Sequence, residues 1–176
     1  MLSDTLGPAQ TAALLVLLQR AFEELYSEHN TRRLLVDGAW EEGRDFYPVV
    51  AATHLGWIAG LGLLVPPHSP EHSLPLAIFI ALQPLRYWII ATLGRFWTHR
   101  IISVPGAPIV KRGPYRLIRH PNYAVAIAET FLLPLAFGQL TFAVIFTTLW
   151  IVVLRHKIQL EDAALSKRCL RVEVVL

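Results

Sequence analysis

The chain is poor in what soluble domains rely on. Charged residues fill only 16% of its 176 positions, and cysteine occurs once. With Cys169 alone no intrachain disulfide can form. It does not stand fourth from the end, so no prenylation box is present. No Lys or Arg precedes Arg20, and Asp4 stands ahead of the first apolar run, which argues against a cleaved signal peptide. Gly-x-Gly-x-x-Gly, Gly-x-x-x-x-Gly-Lys and His-Glu-x-x-His are all missing, so any nucleotide-like ligand needs another kind of cradle. His68 and His72 are four apart, but Pro70 between them prevents a regular helical pair, and no metal site is expected.

What is abundant is apolar. Hydrophobic residues make up 54% of the chain and the mean hydropathy is +0.45, outside the soluble globular range. Five hydrophobic segments can be drawn, about 8–26, 47–65, 73–94, 122–137 and 139–156, the first and fourth weak or short. They predict an all-α integral membrane protein forming a single domain over residues 1–176, with about five transmembrane helices.

The loop from Val65 to His72 and the turn at Gly138-Gln139 carry no basic residue and should lie on one side. Linkers 27–46 and 95–121 and the C-terminal tail fall on the other, and every Lys and Arg lies there or within a few helical turns of it. The positive-inside rule makes that face cytoplasmic and the N-terminus external. Basic residues that follow membrane boundaries account for the net charge of +3 without a nucleic-acid partner. Gly56 and Gly60 are spaced for close approach of another helix, or are incidental small residues. Pro84 and Pro134 should kink their helices. Trp57, Trp88, Trp97 and Trp150 read as lipid-facing or packing residues.

Polar groups inside apolar segments are costly and mark structure or function. Arg20, His54, Arg86 and Glu129 each lie about 9 to 12 Å from the cytoplasmic ends at ~1.5 Å per residue, and could form one layer. Arg86 is expected to pair with Glu129, with Gln83 as hydrogen-bond partner. That pair either pins two helices or serves chemistry.

Residues 101–108 are apolar but broken by Pro105, Gly106 and Pro108, which suggests a re-entrant or lid-like stretch at the interface. Residues 111–123 follow, Lys-Arg-Gly-Pro-Tyr-Arg-Leu-Ile-Arg-His-Pro-Asn-Tyr. Gly113-Pro114 makes a turn, and Pro121 opens the fourth helix, whose positive end favours an anionic ligand group. Arg119 and His120 add donors. The same residues would also serve as an anchor for lipid phosphates. Lys157 and Glu161 lie one helical turn apart beyond the fifth segment. They form either a solvated helix end or a site for a ligand's ammonium or ribose hydroxyls.

Gly113-Pro114-Tyr115, Arg119-His120-Pro121-Asn122-Tyr123 and, across a helical hairpin, Glu161 together resemble the isoprenylcysteine carboxyl methyltransferase family and its phospholipid methyltransferase relatives. Gln83-x-x-Arg86-Tyr87-Trp88, Leu93-Gly94, Trp97-x-x-Arg100 and the stretch from Asn30 to Glu41 are similar to a bacterial branch associated with type III polyketide synthases.

The resemblance implies a bacterial plasma-membrane methyltransferase using S-adenosylmethionine, held in a cytoplasmic pocket near the last two helices. A lipophilic substrate would enter from the bilayer. Tyr115, Arg119, His120, Pro121, Asn122, Tyr123 and Glu161 match the cofactor motif, while Gln83, Arg86 and Glu129 fall on the substrate side; His54 joins them as a substrate-side residue by its depth in the second segment. A carboxylate acceptor would need a cation such as Arg86. A phenol or enol, as in alkylresorcinols or alkylpyrones, would need a general base, Glu129 or neutral His54. Two departures stand out: Lys157 where the family commonly has arginine, and a tail after Ser166 without the aromatic ending. The competing readings are a sterol-type membrane reductase using NADPH and a non-catalytic lipid-binding protein.

Overall fold

The computed structural model describes residues 6–107 and 110–173, with side chains through Ser166. Five helices are found there: α1 Pro8–Val36, α2 Tyr47–Leu64, α3 Ser73–Leu93, α4 Pro121–Ala136 and α5 Leu140–Glu173. Each covers one of the expected segments. Pro8 starts α1 with a pre-set φ, and the Gln10 side chain accepts from the Gly7 N–H at 3.1 Å. No Gly or Pro interrupts α5. Its 34 residues extend roughly 51 Å at ~1.5 Å each, well beyond a ~30 Å hydrocarbon core.

Three helices, rather than five, are long and apolar enough to cross a bilayer among the described residues: Arg44–Leu64, Ser73–Phe96 and Leu140–Ser166. Their large apolar side chains point outward, Leu63, Leu74, Ile80 and Val152 among them. That is the arrangement for a hydrocarbon solvent, and the protein is a membrane protein. α4 has only 16 residues. α1 is interrupted by Arg20, Glu23 and Glu24, and Arg20 and Glu23 are buried against other helices while Leu15, Phe22 and Leu25 face out.

The expected pairing of ends holds within the fold. The His72 N–H donates to Ala136 O at 2.7 Å, joining the α2–α3 loop to the α4–α5 turn. Gln10 Nε2 donates to Val65 O at 2.6 Å, which brings the start of α1 to the same end. Gly138 makes the tight turn at φ +71°, with Pro70 against it. Ala13, Trp57, Leu61, Phe79, Leu133 and Phe137 form the core of this end.

At the opposite end, the apolar stretch after residue 100 is not a re-entrant segment. β2 (Ile101–Ser103) pairs antiparallel with β1 (Trp40–Glu42), Glu41 opposite Ile102. This ribbon ties the two linkers together, and Arg100 Nη1 donates to Glu41 across it at 3.2 Å. The last third of α1, expected to be linker, stays helical because it holds this region. Asn30 Nδ2 donates to Trp97 O at 2.9 Å, and Ser27 Oγ accepts from the His99 N–H at 2.8 Å. Pro108, in the same stretch, and the atypical tail after Ser166 lie outside the described residues and side chains respectively.

The Gly-xxx-Gly spacing marks a helix contact. A Cβ on Gly60 would lie 2.7 Å from the Phe142 ring of α5, whereas one on Gly62 would meet only Ala13 Cβ at 3.5 Å. Gly60→Val should therefore lower stability by about 1–3 kcal/mol through overpacking. Gly62→Ala should leave it unchanged or raise it by up to ~1 kcal/mol. Unfolding of the two variants in the same detergent compares them directly.

Candidate active site

Arg86 does meet Glu129, but inside a cluster of four charges. Arg86 grips Glu23 through Nε and Nη2 at 2.7 and 2.6 Å, and donates from Nη1 to Glu129 at 3.1 Å. Arg20 reaches both carboxylates at 2.7 Å. Gln83 Nε2 completes the shell by donating to the other Glu129 oxygen at 3.0 Å. Two guanidinium groups thus balance two carboxylates at the junction of α1, α3 and α4, each side chain almost wholly buried. Glu23 escaped sequence reading because it sits at the weak end of the first segment; the signal was a Glu-Glu pair following Arg20 on an apolar helix.

Above this cluster lies a largely apolar cavity of about 410 Å³, walled by Leu17, Val50, Leu55, Ala126, Trp150 and Leu154. Arg20, Arg86, His54, Glu24, Tyr47, His99 and Lys157 also reach it. Glu129 and Gln83 do not line it. Glu129, expected as a general base, and Gln83, expected as a substrate contact, are both placed inside the charge cluster rather than on the cavity wall. Arg86 reaches the cavity with its guanidinium already engaged by two carboxylates. His54 sits between Trp57 and Trp150, its Nε2 buried without a hydrogen-bond partner and no carboxylate behind it.

On the other side of Asn122 and Tyr123 is a more polar cleft of about 250 Å³. It gathers most of the basic motif. Tyr115, His120, Asn122, Tyr123 and Glu161 line it with Trp97, Arg100 and Ser103. The Tyr123 hydroxyl donates to Glu161, His120 Nδ1 lies 3.5 Å from the other Glu161 oxygen, and the His120 and Tyr123 rings stack with centroids 5.4 Å apart. Burial, with the Glu161 charge adding to it, pushes the Tyr115 phenol up, so it remains a donor at neutral pH. Pro121 opens α4 and is buried; its ring supplies geometry rather than a contact to the cleft. Arg119 does not line the cleft; it donates to Asp162 at 3.3 Å and lines an adjoining basin of about 780 Å³ with Lys111 and Arg116, which shares Tyr115 and His120 with the cleft.

Lys157 lines the cavity and bears on the wall at Tyr123. Its Nζ donates to His99 O at 2.8 Å and lies 5.2 Å from the Tyr123 ring centroid, so it partners the main chain and an aromatic face rather than Glu161. Asn122 and Tyr123 line both cleft and cavity and are the wall between them. The Asn122 Oδ1 is buried there with no hydrogen-bond partner.

A polar cleft at the end of a helix bundle, backed by an apolar cavity among membrane segments, is the arrangement of a membrane-embedded site with one polar and one apolar compartment. Residues 75–167 match the model of the isoprenylcysteine carboxyl methyltransferase (ICMT) family, and the chain belongs to that family. An uncharacterized Bacillus subtilis (strain 168) protein, YpbQ, is 34% identical over 157 residues, which covers 87% of this chain and 94% of the relative. No solved structure matches.

Leaving one member of the buried cluster unpaired should be far worse than removing a balanced pair. Glu129→Leu alone is expected to cost about 3–5 kcal/mol in detergent unfolding. Combining it with Arg86→Met leaves Arg20 with Glu23 and should recover more than half of that loss. Additive destabilisation in the double variant would show that the cluster is not the unit described.

Proposed function

We propose that the chain is an integral-membrane O-methyltransferase that uses S-adenosylmethionine to methylate a carboxyl or phenol/enol oxygen of a lipophilic acceptor. The observation that carries this reading is the shared wall: a polar cleft and an apolar cavity that both have Asn122 and Tyr123 in their lining. Nucleotide-like and lipid-like molecules can each be held in a suitable solvent and still meet.

The cleft residues fit the cofactor's chemistry. Asn122 Oδ1 is a buried acceptor in want of a donor, such as an amino group. Glu161, held by Tyr123 and beside His120, offers carboxylate oxygens to an ammonium or to ribose hydroxyls. Trp97 and Tyr115 supply aromatic surface. The positive end of α4 opens here and suits a carboxylate. S-adenosylmethionine supplies a methyl group on a positively charged sulfur. The protein's part is to align the acceptor oxygen, exclude water and govern the acceptor's proton. Leu17, Leu55 and Trp150 give the cavity the apolar lining that a long alkyl chain needs.

The acceptors we put first are long-chain alkylresorcinols or alkylpyrones supplied by a type III polyketide synthase. The basic linkers and the cleft would face the cytoplasm of a bacterial cell, with the N-terminus outside.

Calorimetric titration of the detergent-purified protein with S-adenosylhomocysteine is the direct test. Saturable binding is expected, weakened roughly 10- to 100-fold by Glu161→Gln through loss of a charge-assisted hydrogen bond, and weakened also by His120→Ala. Well-folded protein that ignores S-adenosylhomocysteine but binds NADPH would overturn the proposal.

A further inference from the structure

Beside the cavity, α1, the start of α2 and the segment after α3 build a three-membered hydrogen-bonded chain. Tyr47 donates its hydroxyl to Glu24 Oε1 at 2.7 Å, and Glu24 Oε2 lies 2.6 Å from His99 Nδ1. All three residues line the cavity. A carboxylate at that distance fixes the tautomer with the proton on Nδ1, which leaves a lone pair on Nε2. His99 Nε2 has no hydrogen-bond partner among the described residues, and the ring is partly exposed, edge-on to Trp97 at 4.7 Å. The residue is pinned from every side: its N–H by Ser27, its carbonyl by Lys157, its ring by Glu24.

The charge balance around this ring matters as much. The cations that reach the cavity are Arg20, Arg86 and Lys157, and they are matched by Glu23, Glu24 and Glu129 in contact with them or across the cavity from them. A carboxylate acceptor would bring an unmatched charge into an apolar space. A neutral hydroxyl would not, but it must lose its proton as it reacts.

Resting on the methyltransferase reading, the geometry points to His99, oriented by Glu24, as the general base for an acidic hydroxyl acceptor, a phenol or enol rather than a carboxylic acid. The hydroxyl proton passes to His99 Nε2 while the oxygen's electron pair forms the new O–CH₃ bond. The S–CH₃ bond breaks with its electrons staying on sulfur, giving S-adenosylhomocysteine. Glu24 stabilises the imidazolium until the proton leaves to solvent after product release. Burial pushes the His99 imidazole below its ordinary range, against the pull of Glu24, with Lys157 and Arg86 adding to the lowering. The ring is therefore neutral and ready at pH 7. His54 occupies the same cavity without such a carboxylate.

The test measures methylation by the purified protein of long-chain phenols whose ring substituents carry their acidity from above neutrality to below it, together with a long-chain fatty acid. In the wild type, kcat/KM for the weakly acidic phenols should fall only below about pH 6.5, the ordinary imidazole value, and the fatty acid should be the poorer acceptor. His99→Gln should lose about 10²- to 10⁴-fold on the least acidic phenol, far less on phenols already ionised, and should lose the acidic limb. Glu24→Gln keeps the imidazole and should show a smaller loss of the same pattern, with S-adenosylhomocysteine affinity in calorimetry unchanged in both variants. A loss that ignores phenol acidity, or preference for the fatty acid, overturns the inference and leaves the methyltransferase reading standing. Wild type that binds no S-adenosylhomocysteine removes both.

Discussion

Everything around the site hangs on the buried exchange of charge between Arg20, Glu23, Arg86 and Glu129. Charges so deep in an apolar bundle are tolerable only when each meets its opposite with well-made hydrogen bonds. Bidentate contact between Arg86 and Glu23 sets the rotation of α1 against α3, and Glu129 brings in α4. Because an unpaired charge there would be so costly, the three helices have little freedom to slide. The cavity floor is rigid for the same reason.

From that floor the rest is placed by helix length. α1 continues past the charge cluster, and its Ser27 and Asn30 hold the segment that carries Trp97 and His99. α5 runs past the bundle far enough to carry Lys157 to the boundary and Glu161 into the cleft. The β1–β2 ribbon closes the remaining side. Two spaces of different polarity thus meet at Asn122 and Tyr123, the first residues after Pro121. A helix start is a good place for such a wall, since its side chains are fixed while its end is still open to solvent.

Lys157 works through single-point contacts. Its ammonium serves a carbonyl and a ring face, tasks that a point charge performs without a planar fork. In this position it couples the His99 main chain to Tyr123, and so the cavity to the cleft.

The places of the five helices and the shared side of the Val65–His72 loop and the Gly138 turn were legible in the sequence, because long apolar runs and proline-rich or glycine turns have few alternatives in lipid; how far α1 and α5 run past their apolar segments was not. So was the gathering of Tyr115, His120, Asn122, Tyr123 and Glu161, since motif residues near two helix ends must meet once the hairpin closes. Glu23 within the cluster, the withdrawal of Glu129 and Gln83 from the cavity, the turn of Arg119 toward Asp162, and the Tyr47–Glu24–His99 chain were decided only by tertiary structure. Hydropathy reports how deep a residue lies along its own helix. Which buried charge faces which is set by the rotation of helices about their axes, and that appears only when all of them pack at once.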